Sequence, residues 1–539
     1  MSASIRPLLK LDGISLTINA TPILHNISLQ INPGETLGVI GESGSGKSMT
    51  ALSVMQLLPQ GSALTGNVYF DGQALNSLSE PAMCDIRGSD IGMVFQEPMT
   101  ALNPVKTIGD QVSESVRLHQ RVSRNEAAAI TLKTLDRVGL PNADFPLSRY
   151  PHELSGGQRQ RVVIAMAVAC KPRLLIADEP TTALDVTTQA GILELLKQLQ
   201  REQGLGLMLI THDLAVVSNM ADNIVVMNKG RVVEQGVLRE VFAAPENQYT
   251  KRLFNASSLA LRVPRAMPTT ATAGNSKPPL LVVNKLVCEY RLPRKSLFSA
   301  PGRFRAVNNV SFDIHEGESI GLVGESGCGK STLTRALLGL MPMHSGSIHL
   351  AGKSVNSTRQ VSHALRQLMQ VVFQDPYGSF NPRHKVARLV SEPLHVLDDA
   401  LTRAEKAHRI DEVLDSVGMQ SQDKDKYIHE FSGGQRQRIA IARALVIRPR
   451  IIILDEAVSA LDVSVRAQVL ELLDTLAAQQ GLAYLFISHD LSVVQRVTDR
   501  IMVMRSGKIL EHGYTVDVFN TPKHEYTRAL LAAAPVLRI

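Results

Sequence analysis

The octet GESGSGKS occupies residues 41–48, and GESGCGKS occupies residues 324–331 of the same chain. No other feature constrains the fold as strongly, because the repetition continues in order. VFQEP (94–98) returns as VFQDP (372–376), LSGGQRQR (154–161) as FSGGQRQR (431–438), IADEP (176–180) as ILDEA (453–457), and ITHDL (210–214) as ISHDL (487–491). The offset is 283 residues for the octets, 278 for the second pair and 277 for the remaining three, so only small insertions separate the copies. A repeat of roughly 255 residues describes a duplicated globular domain and excludes a solenoid of short units.

The expected division is therefore a first domain over 1–254, a linker over 255–279 and a second domain over 280–539. The linker is rich in Ala, Ser, Thr and Pro and has no periodicity. Stretched at about 3.3 Å per residue it would reach roughly 80 Å, and as a flexible coil about 30 Å, so the two domains can face each other. Hydrophobic residues at 44 % and charged residues at 20 % exclude wholesale disorder. The balance of 57 Lys and Arg against 50 Asp and Glu leaves +7, which permits an anionic partner without demanding one. Cys84, Cys170, Cys288 and Cys328 stand far apart, with no CxxC and no His at ligand spacing. That pattern speaks against a disulfide framework, a zinc site or an iron–sulfur cluster and for a reducing compartment. The longest apolar run, Val162–Cys170, is bracketed by Arg161 and Lys171 and falls well short of the ~18–20 residues of a membrane span. The N-terminus lacks an apolar signal-like stretch, and the expectation is a soluble, intracellular chain.

Short apolar runs alternate with helical patterns in both copies. Thr36–Gly41 reads as a strand entering a glycine loop, followed by a helix over Ser48–Leu58. Leu174–Ala177 and Ile451–Leu454 read as buried strands ended by Asp-Glu, and Leu207–Thr211 and Tyr484–Ser488 as buried strands ended by His. Strands with polar groups at their C-terminal ends, separated by helices, indicate an α/β fold with a parallel-sheet core and a site along that edge.

GxxxxGKS binds phosphate by geometry. Gly41, Gly44 and Gly46 permit a tight loop whose N–H groups point inward, and the helix that follows adds its dipole. Lys47 is expected to reach the β/γ-phosphates and Ser48 to ligate Mg²⁺, with Glu42, Ser43, Ser45 and Met49 completing the cradle. Gly324, Glu325, Ser326, Gly327, Cys328, Gly329, Lys330, Ser331 and Thr332 repeat it. Chance alone gives roughly 0.02 matches in a chain of this length. ATP with Mg²⁺ is the expected cofactor. Asp178 and Asp455 end buried strands, where a carboxylate is costly unless it serves a cation, and they suit the Mg²⁺ shell. Glu179 and Glu456 follow, placed to polarise a water for in-line attack on the γ-phosphate. Alone, such an Asp-Glu pair is a weak signal and more often a strand-end cap; its place downstream of a phosphate loop in both copies argues for catalysis. His212 and His489 are expected to orient the γ-phosphate and water, although a lone His at a strand end is usually a core or capping residue. Gln96 and Gln374 complete the metal set, with plain turn chemistry as the competing reading.

LSGGQ between a phosphate loop and an Asp-Glu strand resembles the nucleotide-binding domains of ABC transporters, over nearly all of both halves. The resemblance implies two P-loop NTPase domains in tandem, each with a parallel-sheet core and a helical subdomain. Ser155, Gly156, Gly157 and Gln158, like Ser432, Gly433, Gly434 and Gln435, begin a helix and offer a hydroxyl and amides to an anion. In the family that anion is the γ-phosphate held by the opposite domain. The implied sites pair 41–48 with 432–435, and 324–331 with 155–158, in an intramolecular head-to-tail dimer. Asp185 and Asp462 match the loop that crosses between the sites. QEPMTALNP (96–104), QDPYGSFNP (374–382), RYPHELSGG (149–157) and HEYTRALLAAAP (524–535) are similar to the oligopeptide/dipeptide/nickel importer subfamily. Two domains in one chain are similar to the fused ATP-binding subunits of glutathione and microcin C/peptide importers. The resemblance implies an ATPase energising import at the cytoplasmic face of the bacterial inner membrane. Its implied partners are two integral-membrane permease subunits docked on Glu97–Pro104 and Asp375–Pro382, and indirectly an extracytoplasmic solute-binding protein; no nucleic acid is expected.

Three departures stand out. Tyr290 fills the family's adenine-stacking position in the second half, whereas Ile18 stands there in the first, so the first site should lose some stacking. Asp-Glu-Pro becomes Asp455-Glu456-Ala457. Cys328 lies inside the second loop, near Lys330 and a helix N-terminus, an environment expected to lower its thiol pKa, although the plainer reading is a small residue that fits the loop; its alkylation should block nucleotide there. Both sites keep Lys, Asp, Glu, His and the signature, and two competent sites are expected. A nickel-chelate importer is an alternative within the subfamily. A soluble tandem ABC ATPase acting on ribosome or DNA is an alternative of another class, disfavoured by the linker composition and the absence of zinc-type cysteines.

Overall fold

The computed structural model describes residues 6–257 apart from 183, then 278–292, 302–355, 363–375, 378–397, 401–459 and 461–537. Most of the segment read as a linker lies outside these residues. Its first three positions continue the helix Gln248–Ser257. The chain divides into two compact units near residue 258, and each is built on the same plan.

In the first unit a six-stranded sheet runs in the order Arg231–Val237, Asn223–Asn228, Thr36–Ile40, Gly206–Ile210, Leu174–Asp178, Ile91–Val94. Five strands are parallel, and Arg231–Val237 closes one edge antiparallel. The strands Thr36–Ile40, Leu174–Asp178 and Gly206–Ile210 are buried at every residue, as continuous apolar runs covered on both faces should be. A second, antiparallel sheet follows the order Thr21–Ile31, Leu9–Ile18, Ser62–Phe70, Gln73–Ala74. It packs on one face of the parallel sheet through Leu9, Leu16, Ile27, Met208 and Met227. The opposite side carries the helical region, where Ile108–Gln120, Arg124–Arg137 and Gly156–Val168 bury Ile108, Val112, Leu135, Val162 and Ile164 in one core with Leu175 and Leu207. The apolar run Val162–Cys170 is thus mostly a buried core helix.

The second unit repeats this with Met369–Val372, Ile451–Asp455, Ala483–Ile487, Ser319–Val323, Arg500–Arg505 and Lys508–Tyr514 in one sheet. Its antiparallel companion is Arg303–Ile314, Leu281–Arg291, Ser345–Leu350 and Lys353–Ser354. Register makes the two long strands equivalent: Leu9 pairs with Ile31 and Leu281 with Ile314, while Ile18 pairs with Thr21 and Tyr290 with Phe304. Ile18 and Tyr290 therefore occupy the same strand position. The helix expected over Ser48–Leu58 runs only from Lys47 to Met55, because Gln56 turns into the left-handed region with φ 51° and caps it. Among the described residues, no helix is long and apolar enough to cross a membrane.

Phe486 is 2 % exposed in the centre of the second parallel sheet. Phe486→Ala is expected to cost about 3–5 kcal/mol, read in calorimetry as a lower-temperature transition of the second unit while the first unit's transition stays in place.

Candidate functional site

Each phosphate loop joins the central strand of its sheet to a helix, and its glycines are fixed by what surrounds them. A Cβ on Gly41 would lie 2.2 Å from the Met227 carbonyl oxygen, and one on Gly324 would lie 2.1 Å from that of Met504. The loop is pressed against the neighbouring strand, so only glycine fits. Lys47, 5 % exposed, donates from Nζ to the Gly41 and Glu42 carbonyls, both at 2.9 Å. Burial lowers its pKa, and the nearby Glu179 carboxylate opposes that effect. Lys330 donates likewise to Gly324 O (2.6 Å) and Glu325 O (3.0 Å). The lysines are folded back onto their own loops, with their charge held where a phosphate would sit.

The adjacent strand ends carry the carboxylates. Burial raises the Asp178 pKa, an effect offset in part by the Ser48 hydroxyl, and its Oδ1 is buried without a hydrogen-bond partner. Burial, reinforced by Glu456, pushes Asp455 up to about 6. A buried carboxylate oxygen left bare beside a Ser hydroxyl fits a divalent cation, which would restore the ionised form. Ser45 Oγ in the loop is also buried and unpartnered, as a group awaiting an oxyanion would be.

Glu179 and Glu456 sit one residue further on with φ of 46° and 51°, in the left-handed region. The Ile210 and Ile487 carbonyls hold these turns by accepting the Glu N–H at 2.9 Å in each case. In the first unit Gln96 Nε2 donates to Glu179 Oε2 at 3.0 Å, Thr182 Oγ1 donates to the same oxygen at 2.8 Å, and His212 Nδ1 lies 3.2 Å from Oε1. Burial alone would raise the Glu179 carboxyl; the His212 ring, the Thr182 hydroxyl and Lys47 outweigh it and hold the group at about 2. In the second unit Gln374 Nε2 donates to Glu456 Oε2 at 2.8 Å, and His489 Nδ1 is 3.4 Å from that oxygen. The Glu456 pKa is likewise lowered against the effect of burial, chiefly by His489. Gln96 and Gln374, expected beside the metal, thus turn their amides onto the glutamates.

The signature residues start a different helix in each unit. Ser155 Oγ accepts the Gln158 N–H and Gln158 Oε1 accepts the Ser155 N–H, a reciprocal cap that Ser432 and Gln435 repeat. This local device explains why Ser and Gln stand three apart, with Gly156–Gly157 and Gly433–Gly434 in the first turn. Tyr290 is 38 % exposed, and its hydroxyl lies 3.2 Å from Thr332 Oγ1 in the first turn of the phosphate-loop helix. Ile18 is partly buried against the core of its unit.

Cys328 departs from expectation. Its side chain is 6 % exposed, and burial raises the thiol pKa despite Lys330 Nζ at 3.8 Å. Sequence proximity to a cation and a helix start pointed the wrong way because desolvation of a thiolate is the larger effect here.

Two contacts escaped sequence reasoning, although Tyr526 lies within the 524–535 segment quoted above. The Tyr249 hydroxyl accepts the Glu42 N–H at 3.1 Å, and the Tyr526 hydroxyl accepts the Glu325 N–H at 3.2 Å. Burial pushes both phenols up to about 12. The segments after Gln96 and Gln374 are anchored differently. Buried Gln111 accepts Asn103 N–H at 2.8 Å and donates to the Asn103 and Lys106 carbonyls, whereas Arg443 donates to Ser379 O at 2.9 Å and lies over the Phe380 ring. Phe95 and Phe373 are each 42 % exposed and Val105 is 80 % exposed. Pro376 and Tyr377 lie outside the described residues.

A glycine loop between a buried strand and a helix, with an Asp-Glu pair on the neighbouring strand end and a capped SGGQ helix, defines a P-loop ATPase of the ABC type. Residues 24–182 and 307–459 match the ABC transporter family, and residues 510–539 match the oligopeptide/dipeptide transporter C-terminal region. The chain belongs to the ABC transporter family, as an ATP-hydrolysing, Mg²⁺-dependent subunit. It is 45 % identical over 543 residues to the glutathione import ATP-binding protein GsiA of Pectobacterium atrosepticum, covering 96 % of this chain and 87 % of that one. It is 46 % identical over 542 residues to GsiA of Escherichia coli strain K12, covering 95 % and 86 %. Among solved structures, the archaeal ribosome recycling factor aABCE1, in its complex with the stalk protein aP1, has a TM-score of 0.60 over 95 % of this chain and 91 % of its own. Its identity of 21 % makes that a likeness of fold.

Two outcomes follow from the geometry. In a time course with a thiol reagent followed by peptide mass spectrometry, exposed Cys84 should be labelled well before Cys328. Tyr249→Phe strands the Glu42 N–H and is expected to cost about 1 kcal/mol of nucleotide binding, roughly fivefold in Kd, in an equilibrium titration with the second site silenced by Lys330→Ala.

Proposed function

We propose that this chain is the fused ATP-binding subunit of an importer for peptides or glutathione-like solutes. The observation that carries the reading is the near-full-length similarity to glutathione import ATP-binding proteins, together with the match of residues 510–539 to the oligopeptide/dipeptide transporter C-terminal region.

In this reading the N–H groups of 41–48 and 324–331 bind the phosphates, with Lys47 and Lys330 swinging from loop carbonyls to the β/γ-phosphates. Tyr290 stacks on the base in the second unit, and Ile18 offers plain apolar packing in the first. Ser48, Asp178 and Gln96, like Ser331, Asp455 and Gln374, are the residues to hold Mg²⁺, which when bound supplies charge neutralisation at the phosphates. Glu179 and Glu456 orient the attacking water, steadied by His212 and His489. Ser155–Gln158 and Ser432–Gln435 present their amides to the γ-phosphate of the opposite unit, so that ATP draws the halves together head to tail and hydrolysis releases them. The tether places one half near the other at an effective concentration on the order of millimolar. Exposed Phe95, Val105 and Phe373 flank the segments 97–104 and 375–382, which dock on two integral-membrane permease subunits at the cytoplasmic face. A solute-binding protein on the far side completes the system.

The test is capture by the Glu179→Gln/Glu456→Gln chain in gentle detergent with ATP present. Two polytopic membrane proteins should co-purify, and their binding-protein partner should take up peptide or glutathione in a ligand screen. Recovery of ribosomal proteins or nucleic acid, with no membrane protein, would sink the importer reading. A nickel chelate bound in preference to either ligand would redirect it.

A further inference from the structure

The two units hold their glutamates unequally. In the first, both carboxylate oxygens are engaged: His212 on Oε1, Gln96 and Thr182 on Oε2. In the second, Gln374 and His489 both address Oε2. The position of Thr182 is taken there by Ser459, three residues after the glutamate in each unit. Its hydroxyl donates to the Glu456 backbone carbonyl at 2.8 Å instead. The two hydroxyls thus serve different acceptors, a carboxylate oxygen in the first unit and a backbone carbonyl in the second. From this we infer that Thr182 is a positioning residue for hydrolysis, fixing the carboxylate plane of Glu179, and that the lack of the corresponding contact from 459 makes the second site the slower of the two. The inference rests on the assignment of Glu179 and Glu456 as the residues that orient water.

A carboxylate that orients water must present one lone pair in a set direction, and rotation about its last torsion spoils that direction at little energetic cost. Contacts at both oxygens remove the freedom; contacts at one leave a hinge. Thr182 touches neither phosphate nor metal in this role, so its effect should appear in turnover and not in nucleotide affinity.

The experiment uses the full-length chain with one site silenced at a time. In the Glu456→Gln background, Thr182→Val should lower kcat for ATP three- to tenfold with KM changed by less than twofold. Thr182→Ser should fall close to the rate of the second site measured alone. In the Glu179→Gln background, Ser459→Thr should raise kcat two- to fivefold with KM unchanged, a gain that a merely structural side chain would not supply. Unchanged kcat in both Thr182→Val and Ser459→Thr, or a Thr182→Val loss matched by raised KM and a lower melting temperature, overturns the proposal. The underlying assignment fails separately: persistent hydrolysis in the Glu179→Gln/Glu456→Gln chain removes the glutamates from catalysis whatever Thr182 does.

Discussion

A buried ammonium sets the terms for each unit. Lys47 has been drawn out of water onto two carbonyl oxygens of its own loop, and burial has already eroded its hold on the proton. The buried Asp178 carboxylate on the neighbouring strand end is equally ill-served, with one oxygen bare. A dianionic phosphate and a divalent cation would answer the two deficits together, and the rest of the unit keeps these groups in place. The parallel strands deliver them to one edge, the Met227 carbonyl braces the loop from beneath, and Tyr249 ties its second residue from the side.

The parallel core was legible in the sequence because its strands are buried on both faces. Leu174–Asp178 and Ile451–Asp455 contain no polar residue until the Asp that ends them. The antiparallel sheet was not read. Leu9–Ile18 alternates only in part, and register shifts between Asp12 and Ser15 break the period on which such a reading depends. The short stop after Met55 was hidden for another reason: a non-glycine residue, Gln56, takes the left-handed cap.

Within the candidate site, the side chains inside the phosphate-loop, Asp-Glu and His motifs were legible, while the contacts that reach the loop from a distance were not. Tyr249 and Tyr526 lie 207 and 201 residues from the amides they accept. A signal for them does exist: the tyrosines are 277 residues apart, the offset shared by the signature, Asp-Glu and His motifs. Cys328 failed in the opposite sense. Its chain neighbours were visible and its enclosure was not, and enclosure decided the direction of the shift. The divergent anchors Gln111 and Arg443 show that the duplicated units meet one geometric demand with unrelated chemistry, so a residue-by-residue comparison of the halves underestimates their likeness.

The positive φ of Glu179 and Glu456 reaches beyond the reaction itself. A left-handed turn at a residue bearing a Cβ costs roughly 1–2 kcal/mol, and glycine or asparagine escapes much of that cost. If the two glutamates orient water as proposed, the backbone cost at these positions is one that activity obliges the fold to carry, and replacing them to relieve it would also forfeit the contacts to Gln96, Thr182 and Gln374.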